Sequence, residues 1–283
     1  MRAPSRSPYA FTEARRLLWL KQGRGLGDGA SYRPWLECRN VKSRGRKHRL
    51  PGILHDRVLH LMSDLERNAV LHFERQAQVA DIREQFPLDR EVTRAIAKAM
   101  GVKHPTDPVT GVEIVMTTDL LVTFLSGRGV LTSRPFSVKE CADLLKRRTR
   151  EKQEIERRYW ERMGFRWAPL LDTELRDRAY FKAILWAREW FHLPGSDPHT
   201  LNLWSERSNR VLFEFASGHA RSVGELVARC EAVGGFGKGE ALSTLRHLVA
   251  RQVIDYDFAA GTPTLCTPLA CFTARAGEMR WAA

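Results

Sequence analysis

The sequence predicts an α/β domain with a mixed sheet flanked by helices, followed by a smaller helical domain. Three observations predict it. Segments of helical and strand spacing alternate up to about residue 171. An apolar hairpin, Val115 to Lys139 (VMTTDLLVTFLSGRGVLTSRPFSVK), sits in the middle of that alternation. Past Leu171 the pattern turns to amphipathic helices with one short apolar strand. A chain of 283 residues has room for two domains that each bury a core, expected over 1–171 and 172–283.

Phe11 to Lys21 (FTEARRLLWLK) has helical spacing, with Thr12 as the N-cap. The glycine run Gly23 to Gly29 follows this helix. Phosphate loops follow a strand and open a helix, so the run reads as a flexible linker. Val41 to Arg49 is basic and turn-rich, which suits backbone phosphates better than base edges. Ser63-Asp64-Leu65-Glu66 opens a helix that runs to about Arg75, and Ser-x-x-Glu is the capping-box pattern. Capping by itself accounts for Glu66.

Val79 to Leu88 reads as a short strand ended by Pro87, and Asp89 to Met100 as an amphipathic helix stopped by Gly101. The hairpin turns at Ser126-Gly127-Arg128-Gly129. After the charged segment Glu140 to Arg150, Glu151 to Met163 is helical. Its pairs Lys152–Glu156 and Glu154–Arg158 lie four apart, which predicts an exposed, salt-bridged face for Glu156. Phe165 to Leu171 closes the first domain as a strand.

In the second domain, Asp172 to Phe191 reads as one long helix starting at an Asp/Thr cap. Helices over Leu203 to Ala216, Ser222 to Cys230 and Glu240 to Arg251 follow, then a strand at Val253 to Asp257. Helix, turn, helix and apolar strand form a winged-helix-like pattern. The candidate recognition helix carries only Arg246, His247 and Arg251, so docking a protein is at least as good a reading as reading bases. Gly234 to Gly239 has no Ser or Thr after Lys238 and is not a nucleotide loop.

The formal net charge of +13 points to a polyanionic partner. Residues 1–50 concentrate it, with thirteen basic residues against Glu13, Asp28 and Glu37. Within them Arg44, Arg46, Lys47 and Arg49 are the candidate DNA-phosphate contacts. A second basic run spans Lys146 to Arg158. The five cysteines contain no CxxC pair and read as free thiols of a reducing cytoplasm. The histidines at 48, 55, 60 and 72 lack matching cysteines and make no zinc motif. No apolar signal core and no run of about twenty apolar residues is present, so a soluble, cytoplasmic protein without membrane contact is expected.

Two charges stand where strands disfavour them, Asp119 and Lys139. Phosphodiester hydrolysis needs carboxylates to hold a divalent cation and a cation or base beside the attacking water. Glu66, Asp119 and Lys139 meet those needs, with the Val138 backbone carbonyl as a further oxygen for the metal. Magnesium is the expected ion, because the ligands are hard oxygens, with manganese able to substitute.

Leu61-Met62-Ser63-Asp64-Leu65-Glu66, Asp81 to Leu88 (DIREQFPL), Lys103-His104-Pro105, Met116-Thr117-Thr118-Asp119 and Glu156-Arg157-Arg158-Tyr159-Trp160 occur in one order. Together they resemble TnsA, the endonuclease subunit of heteromeric cut-and-paste bacterial transposases, across roughly residues 11–171. The resemblance implies a restriction-endonuclease-like fold for the first domain and magnesium-dependent cleavage at the 5′ ends of a mobile element. It also implies two partners, an integrase-type transposase (TnsB) and an ATP-dependent activator (TnsC), the latter contacted by the second domain. The family's four catalytic positions fall on Glu66, Asp119, Lys139 and Glu156. The sequence departs from the pattern two residues before the lysine, where relatives carry Gln and this chain has Ser137. Two other readings are a DNA-binding regulator built on an inactive nuclease fold, and a stand-alone restriction or repair nuclease.

Overall fold

Local capping and turn chemistry set the elements of the first half of the chain. The computed structural model describes residues 9–42, 45–195 and 197–275. It divides into two units, Met1–Arg176 and Asp177–Ala283. In chain order the first unit contains α1 (Glu13–Lys21), β1 (His48–Pro51), β2 (Val58–Leu61), α2 (Asp64–Glu74), β3 (Val79–Pro87) and α3 (Arg90–Ala99). It continues with β4 (Thr117–Leu125), β5 (Leu131–Lys139), α4 (Arg147–Arg162), β6 (Ala168–Leu171) and α5 (Asp172–Leu175).

Thr12 caps α1 by accepting from the Arg15 amide, Ser63 caps α2 through the Glu66 amide, and Asp89 caps α3 through two amides. The β4–β5 hairpin closes where the Gly129 amide donates to the Ser126 carbonyl. Gly129 has φ +75°, which favours glycine.

The main sheet has the order β3-β4-β5-β6. The first two pairings are antiparallel and β5–β6 is parallel, so the sheet is mixed, as expected. Helices flank it. Phe73 of α2 packs against Phe124 and Phe136, while Ile96 and Ala97 of α3 join Ile155, Tyr159 and Trp160 of α4 around Leu121. β1 and β2 pair separately.

Several segments differ from their sequence reading. The glycine run is packed rather than a linker. The Gly25 amide donates to the Arg33 carbonyl at φ +82°, and a Cβ there would come within 2.2 Å of Pro87 Cγ. The neighbouring Arg24, buried, donates to the Trp35 carbonyl and Asn40 Oδ1. α4 begins a turn earlier than Glu151. The long helix expected from Asp172 is broken, because α5 ends at Leu175 and Asp177 caps a new helix through the Tyr180 amide.

The second unit contains α6 (Arg178–Arg188), α7 (Pro198–Ala216), α8 (Val223–Ala232), α9 (Glu240–Ala250), β7 (Ile254–Tyr256) and β8 (Phe272–Ala274). α9 is its centre and buries Ala241, Thr244, Leu245, Leu248 and Val249. β7 and β8 pair antiparallel, and the ion pair Arg275–Asp255 ties them. The charges of α9 are committed to packing. Arg246 donates to the Trp186 carbonyl at 2.6 Å and pairs with Glu189, while Arg251 stacks on Phe191. Among the described residues no helix is long and apolar enough to cross a membrane.

Candidate active site

β4 and β5 bring Asp119 and Lys139 together. Lys139 Nζ lies 2.6 Å from Asp119 Oδ2 and 2.9 Å from the Val138 carbonyl oxygen. The Val138 amide also donates to Oδ2 at 2.8 Å, and the Ser137 hydroxyl does so at 3.3 Å. All three donors take the same carboxylate oxygen.

Glu66 enters from the first turn of α2. Its side chain is 7% exposed. It does not reach back to the Ser63 amide as a capping box requires; instead Oε2 accepts from the Met62 amide at 2.9 Å and from Gln85 Nε2 at 3.1 Å, and Oε1 accepts from the Ser63 hydroxyl at 3.2 Å. Burial, and next the charge of Asp119, push its carboxyl from 4.5 up to about 7.

Glu156 is where the sequence reading fails. No Lys152–Glu156 ion pair forms among the described residues, and Glu156 is 4% exposed. Its Oε1 accepts from Thr118 Oγ1 at 2.8 Å, and Thr118 in turn accepts from the Trp160 indole at 2.6 Å. Burial and the Asp119 charge raise it likewise to about 7. Its partners explain the misreading. Gln153, Ile155, Glu156, Tyr159 and Trp160 form the buried stripe of α4, and Glu156 lies three and four residues from Tyr159 and Trp160. Glu154, by contrast, pairs outward with Arg157 and Arg158.

Burial works to lower the pKa of Lys139, but Asp119, then Glu156 and Glu66, outweigh it and raise it. Lys139 is therefore an ammonium at neutral pH. The four residues named from the sequence share one electrostatic neighbourhood.

Two amides in this neighbourhood were not singled out from the sequence. Gln85, on β3 and 3% exposed, has φ +48° and bridges Glu66 Oε2 and Thr117 Oγ1. A non-glycine residue held there stores on the order of 1–3 kcal/mol of strain, as functional positions often do. Gln153 Nε2 donates to Ser137 Oγ at 2.8 Å. Periodicity could have found Gln153, which stands three residues before Glu156 on the same helix face.

The donors suit a hard cation. The Lys139 ammonium already sits on two of the proposed metal ligands, Asp119 Oδ2 and the Val138 carbonyl, so these oxygens converge on positive charge. No three His, Cys, Asp or Glu side chains among the described residues form a ready-made metal cluster. Two carboxylates and a carbonyl, completed by water, match the way magnesium is usually held.

The DNA-contact candidates fare unequally. Arg44 lies outside the described residues. Arg46 and Arg49 are exposed. Lys47 is committed locally, since its ammonium donates to the Cys38 and Val41 carbonyls. In the Lys146–Arg158 run, Lys146, Arg147, Arg148, Arg157 and Arg158 are engaged in ion pairs with Asp143, Glu151 and Glu154, which leaves the run net basic. The five cysteines form no disulfide.

Comparison with known proteins bears on the whole arrangement. Residues 76–171 match the family model described as TnsA-like endonuclease N terminal, and residues 177–258 match TnsA endonuclease C terminal. Asp119, Lys139 and Glu156 fall inside the first match, while Glu66 precedes it. The transposon Tn7 transposition protein TnsA of Escherichia coli is 43% identical over 166 residues, which cover 59% of each chain. The alignment thus spans about three-fifths of that relative's length. With consecutive matches to the family's two domain models over more than half its length, the chain belongs to the TnsA family.

Proposed function

We propose that the chain is a divalent-metal-dependent DNA endonuclease that hydrolyses phosphodiester bonds at the 5′ ends of a mobile element. The observation that carries this is the meeting of Asp119, the Val138 carbonyl and Lys139 at the end of the hairpin, with Glu66 near enough for its charge to act on both Asp119 and Lys139. Family membership supports the same reading.

Glu66, Asp119 and the Val138 carbonyl would hold the cation. Magnesium, when bound, supplies Lewis-acid stabilisation of the scissile phosphate and lowers the pKa of the attacking water. Lys139 enters as an ammonium, so its part is to steady negative charge developing on the phosphate rather than to abstract a proton. Glu156, with a pKa near 7 and oriented by Thr118, suits proton transfer near neutral pH. Arg46 and Arg49 draw the DNA backbone without reading sequence.

The partners follow from the family. An integrase-type transposase (TnsB) would join the opposite strand ends, and an ATP-dependent activator (TnsC) would dock on the second unit. That unit reads as a winged-helix-like module, and the internal commitment of Arg246 and Arg251 favours protein docking over base reading. The deciding experiment is magnesium-dependent cleavage of a transposon-end duplex, with and without the partner transposase, comparing wild type with Asp119→Ala. Magnesium-independent cleavage, or an unaffected variant, overturns the proposal.

A further inference from the structure

A hydrogen-bonded chain reaches the site from α4, and its direction is fixed. Asp119 Oδ2, as a carboxylate oxygen, accepts the Ser137 hydroxyl proton at 3.3 Å. Ser137 Oγ must then accept from Gln153, so the amide nitrogen faces it, at 2.8 Å. That orientation leaves Gln153 Oε1 as the remaining group. It is buried and has no hydrogen-bond partner among the described residues, on a side chain 8% exposed.

An amide that only filled space here would be a poor choice. A buried unpaired carbonyl costs about 1–3 kcal/mol, which a methionine of similar volume would avoid. Buried polar atoms without partners are few, and each calls for a reason. The reason available on this molecule is the cation site that Asp119 helps to form. Ser137 is itself buried between the two groups. The chain therefore links α4 directly to the carboxylate.

We propose that Gln153 is a positioning residue of the nuclease site: through Ser137 it orients the Asp119 carboxylate, and its free Oε1 accepts a hydrogen bond from the hydration water of the bound cation. The proposal rests on reading the site as metal-dependent. Magnesium keeps several of its waters when protein-bound, and such waters need acceptors. Outer partners of this kind commonly change metal affinity by about 10–100-fold.

The test measures manganese binding to the full-length protein without DNA, by electron paramagnetic resonance of the free ion, together with thermal melting. Wild type is compared with Gln153→Met, Gln153→Ala, Ser137→Ala, the Ser137→Ala/Gln153→Ala pair and Asp119→Ala. Gln153→Met and Ser137→Ala are each expected to weaken manganese binding about tenfold or more. The double variant is expected to lose little beyond either single change, because both break one chain. Gln153→Met should melt at or above the wild-type temperature, which a purely structural glutamine would not allow. Wild-type manganese affinity in Gln153→Met, with Asp119→Ala deficient, overturns this inference and leaves the site reading standing. Wild-type affinity in Asp119→Ala overturns the site reading itself.

Discussion

Lys139 holds its ammonium 2.6 Å from Asp119 Oδ2, on the oxygen that also receives the Val138 amide. On the proposed reading, the lysine supplies a second positive charge beside the cation when DNA phosphate arrives. The hairpin supplies a carboxylate, a carbonyl and an ammonium from two adjacent strands, and the helices α2 and α4 add one carboxylate each. The site lies where the sheet meets two helices.

Asp119→Asn keeps the shape of the side chain but removes the charge that draws a cation. Cleavage is expected to fall below detection, while the far-ultraviolet circular dichroism stays that of wild type. Lys139→Ala is expected to lose about 10²-fold or more in rate, the usual scale for a positioned electrostatic group. A single-turnover assay on a transposon-end duplex reads both. A wild-type rate in either variant removes that residue from the chemistry.

Glu156 predicts a pH signature. Its folded pKa is raised from 4.5 to about 7, so between those values the folded state holds its proton while the unfolded state has lost it. Its contribution is therefore fully present below about pH 4.5 and is lost as pH rises to 7. The loss is on the order of 3 kcal/mol. Glu156→Gln should gain stability relative to wild type as metal-free buffer goes from about pH 5 to pH 8. A stability difference that does not move with pH contradicts the burial of this carboxyl.

Magnesium should act in the opposite sense. Protons on Glu66, whose carboxyl is raised to about 7 by burial and by Asp119, compete with the cation. Added magnesium is expected to raise Tm more at about pH 8 than at pH 5. An equal shift at both pH values would mean that the ion binds elsewhere.

How much of this was legible in the sequence depends on whether the signal was local. The β4–β5 hairpin was readable because alternation, turn glycines and two misplaced charges all lie within Val115 to Lys139. The Ser63 cap was readable for the same reason. Glu156 was misread because Lys152 offered a sufficient local partner, although the stripe through Tyr159 and Trp160 put it on the buried face. The break before α6 was missed because no Gly or Pro marks it, only a second capping residue, Asp177. Gln85 and Gln153 were missed. An uncharged amide carries no charge signature; helical periodicity could place Gln153 on the buried face of α4, but the role of either residue appears only once β3 or α4 is packed on the hairpin. The β8 strand was missed because its pairing with β7 is made across an intervening loop.

The basic segment predicts a split result. Arg46 and Arg49 point to solvent, whereas Lys47 donates to the Cys38 and Val41 carbonyls. Neutralising Arg46 and Arg49 together should weaken binding of unrelated duplexes evenly and flatten the slope of log affinity against log salt by about two. Lys47→Ala should leave that slope nearly unchanged and lower Tm instead. Fluorescence anisotropy over a salt series separates them. A slope change with Lys47→Ala would put its ammonium on DNA.

Arg246 offers the matching test in the second unit. Its guanidinium donates to the Trp186 carbonyl, pairs with Glu189 and stacks on Trp186 and Trp190. Those contacts are internal to the unit, so the residue is a brace between α9 and the end of α6. Arg246→Ala should cost about 1–2 kcal/mol through the lost hydrogen bond and cation–π contacts. DNA affinity and its salt slope should stay at wild-type values at temperatures where the variant is folded. Differential scanning calorimetry beside anisotropy decides the matter. A variant that melts normally yet loses DNA affinity would make α9 a recognition helix after all.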